Sequence, residues 1–239
     1  MASEVKCNKI SPATGTAFQF GDSGDTFTIP SGVTLTNNGS SSGFDSGLAS
    51  VQTFTSSGTW TRPTGITKVI VEVQGAGGSG TNGGSGSNQR NNGGSGGYVK
   101  KLLNVSSIST ATITIGAAGA ANTGTSGNDG GNSIWSDGTN TLTSGGGKGP
   151  NGTTSHGGLG GTATGGDLNI VGQNGGGYFS KGGDSQFGYG GVYGISAATG
   201  GNADNTAIPA EGYGSGGCAV YSGTASAGAA GIVIVTEYK

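Results

Sequence analysis

Hydrophobic residues alternate with polar ones in several short runs near the N-terminus, and this period of two predicts β-strands. The turn sequences GDSGD and PSG separate these runs. Each run is too short to build a core alone, so we expect the strands to be shared among three chains in a trimer. The alternating pairs are Phe18 and Phe20, Phe27 and Ile29, and Val33 and Leu35.

Stronger strand patterns begin at residue 51. Val51, Phe54 and Trp60 flank a Ser-Ser-Gly turn, and a second turn, Arg62-Pro63-Thr64-Gly65, precedes a dense run of β-branched residues. In that run one face is fully apolar, with Val69, Val71 and Val73. Further strands are predicted in 98–107, 111–117 and 231–239. No window keeps a helical period without glycine, so the predicted fold class is all-β.

Glycine divides the chain into two regions. The chain has 57 glycines in 239 residues, far above the usual share of about 7%, and only nine of them precede Gly75. The stretch 40–50, SSSGFDSGLAS, has the composition of a linker. We therefore predict an N-terminal attachment and trimerisation module with its linker over residues 1–50, followed by a glycine-rich β domain over residues 51–239.

Gly75, Gly77 and Gly80 match the G-x-G-x-x-G pattern of dinucleotide-binding loops directly after a predicted strand. That motif needs a helix next, because the helix N-terminus holds the pyrophosphate. The following residues, TNGGSG, include no strong helix former. The match is a consequence of glycine density, and we expect no nucleotide and no other cofactor.

Glycine also recurs at every third position, as in Gly77, Gly80 and Gly83. Five prolines are too few for collagen, but extended threefold helices of glycine can approach closely and hydrogen-bond to one another. A flexible linker is the alternative. Large apolar residues inside the region disfavour it, including Ile134, Trp135, Leu142, Leu168, Ile170 and Val171. We predict packed polyglycine-II-like loops, with Trp60 and Trp135 in the core.

Charge excludes further classes of protein. Ten Lys and Arg against twelve Asp and Glu give a net charge of −2 without a basic cluster, so no nucleic-acid partner is expected.

No run approaches the ~20 apolar residues of a membrane span, and MASEVKCNKI lacks the apolar segment of a signal peptide. We expect synthesis in a cytoplasm and no membrane insertion. Cys7 and Cys218 are too few for a disulfide scaffold and are expected to be idle thiols.

An ordered series of segments resembles the glycine-rich domain of bacteriophage tail-fibre and related virion proteins, over about residues 51–239. The segments are FTSSGTWTRPTGITKVIVEVQGAGGSG, GGSGGYVKKLL, TITIGAAG, NDGGNSIW, GYGSGGCA and AGIVIVTEY. The resemblance implies that the strands near 67–74 and 231–238 are sheet neighbours and that packed glycine loops face a bacterial surface. The N-terminal DTFTIPSGVTLTNNGS is similar to modules of marine phage virion proteins, which are typically trimeric. Cys218 interrupts the glycine run that the family often carries near its end.

Catalytic and metal-binding chemistry has little support in the sequence. The single histidine, His156, lies in a glycine-rich loop, and the carboxylates are sparse and unpaired along the chain. Asp129 in GNDGGN matches only part of one calcium-binding repeat, and Asp22 and Asp25 are typical turn residues. We expect no enzyme and no metal, and a polysaccharide depolymerase ranks last among the functions considered.

Aromatic residues bounded by glycine are the candidate contacts with a receptor. Aromatic rings stack on sugar faces and anchor protein interfaces, but they also fill gaps between packed segments. We predict a virion protein, on the tail or capsid surface, that binds a host glycan or protein, with a purely structural decorating role as the alternative. The candidate residues are Tyr178, Phe179, Phe187, Tyr189, Tyr193 and Tyr213.

Overall fold

The structure is a computed structural model, and it describes residues 22–34, 36, 47–83, 90–152, 156–177, 180–193 and 207–239. In these residues the regular elements are β-strands in antiparallel ladders, without a helix, which confirms the predicted all-β fold. No helix that could span a membrane occurs in this part of the chain. The chain divides into two compact units, Met1–Asp45 and Ser46–Lys239.

The described part of the N-terminal unit contains the two predicted turns. In GDSGD the backbone N–H of Asp25 donates to the Asp22 carbonyl oxygen at 3.1 Å. In PSG the N–H of Val33 donates to the Pro30 carbonyl oxygen at 3.2 Å. Both hydrogen bonds close four-residue β-turns, so the turn predictions are confirmed.

The apolar residues beside these turns form no strand ladder in residues 22–34, which differs from the sequence prediction. Phe27, Ile29 and Val33 are 65%, 39% and 60% exposed. Residues 22–34 contain two turns and no strand. Phe18, Phe20 and Leu35 lie outside the described residues.

The second unit contains fourteen strands in its described residues, including every strand predicted from residue 51 onward. The strands are β1 Leu48–Phe54, β2 Gly58–Thr61, β3 Lys68–Gln74, β4 Tyr98–Asn104, β5 Thr110–Thr114, β6 Ser133–Ser136, β7 Thr141–Ser144, β8 Ala163–Thr164, β9 Leu168–Ile170, β10 Phe187–Tyr189, β11 Val192–Tyr193, β12 Ala207–Ile208, β13 Glu211–Tyr213 and β14 Ile232–Tyr238.

Two five-stranded sheets face each other. Sheet 1 has the order β1-β14-β3-β4-β9, and sheet 2 has the order β2-β5-β6-β7-β8. Strands β3 and β4 of sheet 1 lie against β6 and β7 of sheet 2. The last strand, β14, pairs along its whole length with β3, as the family resemblance implied.

The core lies between these sheets. Val69, Val71 and Val73 are fully buried, so the predicted apolar face of β3 is confirmed. Trp60 and Trp135 are also fully buried, with ring centroids 5.2 Å apart, which confirms their predicted place in the core. Burying such side chains between two sheets supplies the main favourable free energy of this fold.

A buried carboxylate joins both sheets near the chain ends. Glu237 on β14 is fully buried and accepts hydrogen bonds from Trp60 Nε1 at 2.6 Å and Gln52 Nε2 at 2.7 Å, and from the Ser50 hydroxyl. Three donors offset the loss of hydration that burial of a carboxylate causes. Ser50 lies in β1, which begins at Leu48, inside the stretch 40–50 that has linker composition.

Glycine-rich segments continue the strands beyond the sandwich, and their hydrogen bonds rotate through three neighbours. In the segment 75–83, every third N–H group donates to the same neighbouring segment. The donors Gly75, Gly78 and Thr81 reach Gly97, Gly94 and Asn91; Ala76, Ser79 and Asn82 reach Gly131, Asn128 and Gly124; Gly77, Gly80 and Gly83 reach Ala229, Ser226 and Val220. A sheet strand has two hydrogen-bonded neighbours, whereas this segment has three.

These segments pack so closely that side chains would collide with backbone. A Cβ atom added at Gly75, Gly77 or Gly80 would lie within 3.0 Å of a carbonyl oxygen of another segment. Residues 75–83 contain no helical turn. These three glycines, which form the G-x-G-x-x-G match, therefore allow close packing of backbone against backbone.

Some apolar residues used to disfavour a linker are exposed. Leu168, Ile170 and Val171 are 47%, 41% and 64% exposed at the edge of sheet 1, whereas Leu142 is fully buried in sheet 2. Their presence in the sequence did indicate ordered structure. Their burial, however, depends on which sheet face they occupy.

We expect Gly160→Ala to destabilise the second unit by roughly 1–3 kcal/mol, because the new methyl group would overlap the backbone of Gly172. Gly58→Ala is the matched control, since nothing lies within 4 Å of that position and the alanine restricts the unfolded chain. The measurement is the urea unfolding midpoint. Equal midpoints for the two variants would contradict close packing in the glycine segments.

We expect Glu237→Leu to destabilise the fold by on the order of 1–3 kcal/mol, because it leaves the buried Trp60 Nε1 donor unpaired, whereas the less buried Ser50 and Gln52 can turn to water. Glu237→Gln should cost less, because its amide oxygen can still accept from Trp60. Guanidinium unfolding followed by tryptophan fluorescence measures both variants. If leucine were tolerated as well as glutamine, the proposed role of this carboxylate would be wrong.

Candidate functional site

Three of the six candidate aromatic residues lie on one two-stranded ribbon. Strands β10 and β13 pair so that Phe187 lies opposite Tyr213 and Tyr189 lies opposite Glu211. Residues two apart on a strand share a face, so all four side chains belong to one face. We call residues Phe187–Tyr189 and Glu211–Tyr213 the aromatic ribbon.

The other candidate aromatics are not on this ribbon. Tyr193 lies on β11, opposite Ala207 of β12, and is half-buried. Tyr178 and Phe179 lie outside the described residues. The structure therefore brings Phe187, Tyr189 and Tyr213 together. Tyr193 follows Tyr189 by four residues and lies on a different strand pair.

Glycine occupies the opposite face of the aromatic ribbon. Gly188 pairs with Gly212, and a Cβ on either would lie within 3.0 Å of backbone in the paired strand. Gly212 also has a φ of +74°, a conformation that disfavours other residues. The ribbon can therefore pack tightly on one side and carry all its large side chains on the other.

The ribbon is anchored to sheet 1 by aromatic packing. The rings of Phe187 and Tyr98 meet edge to face, with centroids 5.7 Å apart, a favourable arrangement for aromatic pairs. Burial raises the pKa of Tyr98, and the hydrogen bond that its hydroxyl donates to Glu72 raises it further. Glu72 in turn lies 3.5 Å from the Lys100 ammonium. Phe187 is thus partly structural, as the alternative interpretation of the aromatics held.

Tyr189 is the exposed aromatic residue of the ribbon. Its side chain is 75% exposed, and the exposed carboxylate Glu211 lies directly across the strand pair. An aromatic face beside a hydrogen-bond acceptor can bind a group with one apolar side and a rim of hydroxyl or amide donors.

Two clefts flank the ribbon. The larger, of about 450 Å³, runs along the ribbon and includes Tyr189 and Glu211. The smaller, of about 240 Å³, is lined by residues 184–186, which directly precede β10, and by Tyr98 and Ile170. Both clefts share Asp184, Ser185 and Gln186, so they form neighbouring parts of one surface.

Hydrogen bonds to buried side chains hold the shared segment in place. Gln74 is fully buried and its Nε2 donates to the carbonyl oxygens of Gly96 and Gly97, while its Oε1 accepts from the Gln186 N–H at 3.3 Å. The Ser185 hydroxyl donates to the Tyr213 carbonyl oxygen. These hydrogen bonds hold the backbone of the cleft floor in a defined conformation, and a site ordered in this way loses less entropy on binding a ligand.

Asp184 fixes the turn between the two clefts. Its carboxylate accepts from the Gly190 N–H at 2.9 Å and from the Lys181 ammonium. Partial burial by itself would raise the pKa of Asp184, but the hydrogen bonds from Lys181 and Gly190 outweigh it and hold the pKa below the ordinary value.

The sequence did not single out Tyr98, Gln74, Asp184 or Glu211 as site residues. Asp184 and Glu211 are 27 positions apart, and Gln74 and Tyr98 belong to a different part of the chain. Gln74 is a polar residue at the end of a run of β-branched strand residues. That position is the one local signal in the sequence that could have indicated a buried, hydrogen-bonded side chain.

The remaining candidate residues have structural partners or lie alone. Asp129 accepts from the Lys148 ammonium at 2.8 Å and from the Gly149 N–H at 2.9 Å. His156 is exposed at a bend. In the described ranges no three His, Cys, Asp or Glu residues converge as a metal site would require. Cys218 is a buried thiol, as predicted, whereas Cys7 lies outside the described residues.

Hydrogen bonds also join distant segments of the second unit away from the clefts. The Lys239 N–H donates to the Gly47 carbonyl oxygen at 3.2 Å. Asn82 Nδ2 donates to the carbonyl oxygens of Thr123 and Gly223, at 3.1 and 2.8 Å, which joins three segments of the glycine-rich region.

One protein-family model, described as a glycine-rich domain, matches residues 48–238. This range runs from the first residue of β1 to the last residue of β14. Among curated proteins, none matches the chain.

We expect the Gly190 amide to report the titration of Asp184 with a midpoint below 3.8, the ordinary value for this carboxyl. Because the pKa is lowered in the folded protein, the stabilisation is complete above 3.8 and is lost as the pH falls through the folded pKa. Two-dimensional NMR between pH 2 and 6 measures the midpoint. Asp184→Asn should abolish the shift, Asp167→Asn should leave it unchanged, and a midpoint above 3.8 would contradict the assignment.

Proposed function

Because the chain belongs to the glycine-rich domain family, we propose that it is a bacteriophage virion fibre protein that binds the host cell surface. The glycine-rich domain supplies the contact, through its loops and the aromatic ribbon. The N-terminal part attaches the protein to the particle. No catalytic step is proposed.

The observation that carries the proposal is the exposed ring of Tyr189 beside Glu211, above a cleft of about 450 Å³. Sugar rings have apolar C–H faces and hydroxyl donors at their rims, which fits an aromatic face next to a carboxylate. A protein receptor with an exposed donor beside an apolar group would use the same two features. The receptor class is therefore a surface glycan or a surface protein.

The packing of the glycine segments supports a role as a rigid display platform. Each segment in this proposal is a left-handed polyglycine II helix, which has three residues per turn and no internal hydrogen bonds. The threefold rotation of hydrogen bonds along residues 75–83 supports this geometry. A block held by backbone contacts leaves its turns and the ribbon face free to carry different side chains.

In this proposal the chain forms a homotrimer, and the N-terminal part of the trimer binds other virion proteins. Support comes from Phe27 and Val33, which are 65% and 60% exposed in a single chain. Large apolar side chains that stay exposed in one chain favour burial between chains.

A structural role, as a capsid-decorating or tail component without receptor binding, is the second proposal. The packing of Phe187 on Tyr98 favours it, because that ring anchors the ribbon whether or not a ligand binds. The two proposals differ in what they require of Tyr189, which has no such anchoring contact with another aromatic ring among the described residues.

We expect the purified full-length protein to compete with phage particles for adsorption to host cells. Tyr189→Ala should weaken the competition about tenfold or more, since a central aromatic contact typically contributes at least 1–2 kcal/mol. Leu159→Ala is the matched control, because Leu159 is 62% exposed and lies outside the ribbon. Adsorption is measured as free phage remaining against protein concentration.

Absence of competition by the unmodified protein would favour the decorating role. Competition that Tyr189→Ala leaves intact would place the receptor contact elsewhere in the domain. Both variants must keep the unfolding midpoint of the unmodified protein for the comparison to count.

A further inference from the structure

The two clefts beside the aromatic ribbon present different functional groups to a ligand. The larger cleft includes the exposed ring of Tyr189 and the exposed side chain of Glu211, whose ionised carboxylate accepts hydrogen bonds and donates none. The smaller cleft includes Ile170 and Val171, which are 41% and 64% exposed. Each cleft therefore offers an apolar surface, which is aromatic in one and aliphatic in the other.

The Gln173 amide adds a hydrogen-bond donor to the smaller cleft. Its Oε1 accepts from the Asp184 N–H at 2.7 Å, so the carbonyl side of the amide is used within the protein. Its Nε2 group donates to no other residue in the described part of the chain. The smaller cleft thus offers a donor, whereas the larger cleft offers an acceptor at Glu211.

A ligand that fills both clefts has to match this pattern of groups. It crosses residues 184–186, which line both clefts. It donates to Glu211 in one cleft, accepts from Gln173 in the other, and turns an apolar face toward each. Hydroxyl groups both donate and accept, and sugar rings carry apolar C–H faces, so a chain of sugar residues repeats the required combination at every unit.

The charges at the clefts restrict the ligand further. The described residues that line the clefts include the carboxylates Asp184 and Glu211 and no Lys or Arg. Two ammonium groups lie close by, and each is already paired with a carboxylate, Lys181 with Asp184 and Lys100 with Glu72. An acidic sugar would meet Glu211 without a cation to offset the repulsion, whereas an uncharged sugar would not be repelled.

The volumes of the clefts give them different roles. The larger, of about 450 Å³, is within the usual range of about 300–1,000 Å³ for ligand pockets, and the smaller, of about 240 Å³, is below it. The smaller cleft is therefore suited to extend a ligand that is already bound in the larger one. Two linked contacts bind much more tightly than either contact alone.

We propose that the two clefts are successive subsites for one uncharged glycan chain, and that Val171 and Gln173 determine which sugar residue the second subsite accepts. The inference rests on the proposed receptor binding, and it narrows the receptor from a glycan or a protein to an uncharged glycan. It also assigns a binding role to the smaller cleft, which the contact at Tyr189 does not require.

The test measures binding of the fluorescently labelled full-length protein to host cells, with surface polysaccharide from the same host as competitor. Anion exchange separates the polysaccharide into uncharged and acidic fractions, and partial hydrolysis cuts the uncharged fraction into fragments of increasing length. We expect the uncharged fraction to compete and the acidic fraction to have no effect. The affinity should rise about tenfold or more from single sugars to longer fragments, because only the longer ones reach the second subsite.

Two variants of the smaller cleft should each remove most of this gain with length and leave the affinity for single sugars unchanged. Val171→Asp places a charge on the apolar surface, and Gln173→Glu removes the donor but keeps the oxygen that accepts from Asp184. Tyr189→Ala should weaken binding at every length. Leu159→Asp is the matched control, because Leu159 is 62% exposed and lies outside both clefts. The urea unfolding midpoint of each variant confirms that it is folded.

The outcomes separate this inference from the proposed function. If protease treatment of the cells abolishes binding, or if only the acidic fraction competes, the inference is overturned and receptor binding stands. The same holds if both folded variants of the smaller cleft keep the full gain with length. If the unmodified protein does not bind host cells at all, both the inference and the proposed receptor binding are wrong.

Discussion

The close approach of extended backbones is the constraint on which this structure depends. Peptide groups buried in the glycine segments must find hydrogen-bond partners, and the partners are the peptide groups of neighbouring segments. That is possible only where no Cβ atom separates them, as at Gly78, Gly94 and Gly147. The high glycine content is therefore a packing requirement. Its entropic cost on folding is offset by satisfied hydrogen bonds and by the sandwich core beneath.

The sandwich and the glycine block stabilise each other. Sheets 1 and 2 set the spacing and direction with which each glycine segment leaves its strand, and the dense antiparallel pairing of β3 with β14 holds the first and last segments together. Conversely, the block covers the ends of the strands, where Gln74 is buried among glycine carbonyl oxygens. A chain of low charge can be built this way because backbone groups supply most of the polar contacts.

The aromatic ribbon applies the same constraint to a functional surface. Glycine on one face, at Gly188 and Gly212, lets the two strands pack closely, and the opposite face is left for large side chains. Phe187 anchors the ribbon on Tyr98, while Tyr189 remains exposed beside Glu211.

The sequence by itself determined the all-β class, the main strands, the buried valines of β3 and the two core tryptophans, because period-two patterns and β-branched residues act locally. It also indicated that Tyr189 and its neighbours were candidates for contact. Only the tertiary structure decided which residues share a site. Tyr98, Gln74 and Glu211 come from distant parts of the chain, and their convergence depends on the paths of the glycine segments. The exposure of Leu102 and Leu168 was also beyond the sequence, since an apolar residue on a strand has the same local pattern whether its sheet face is covered or open.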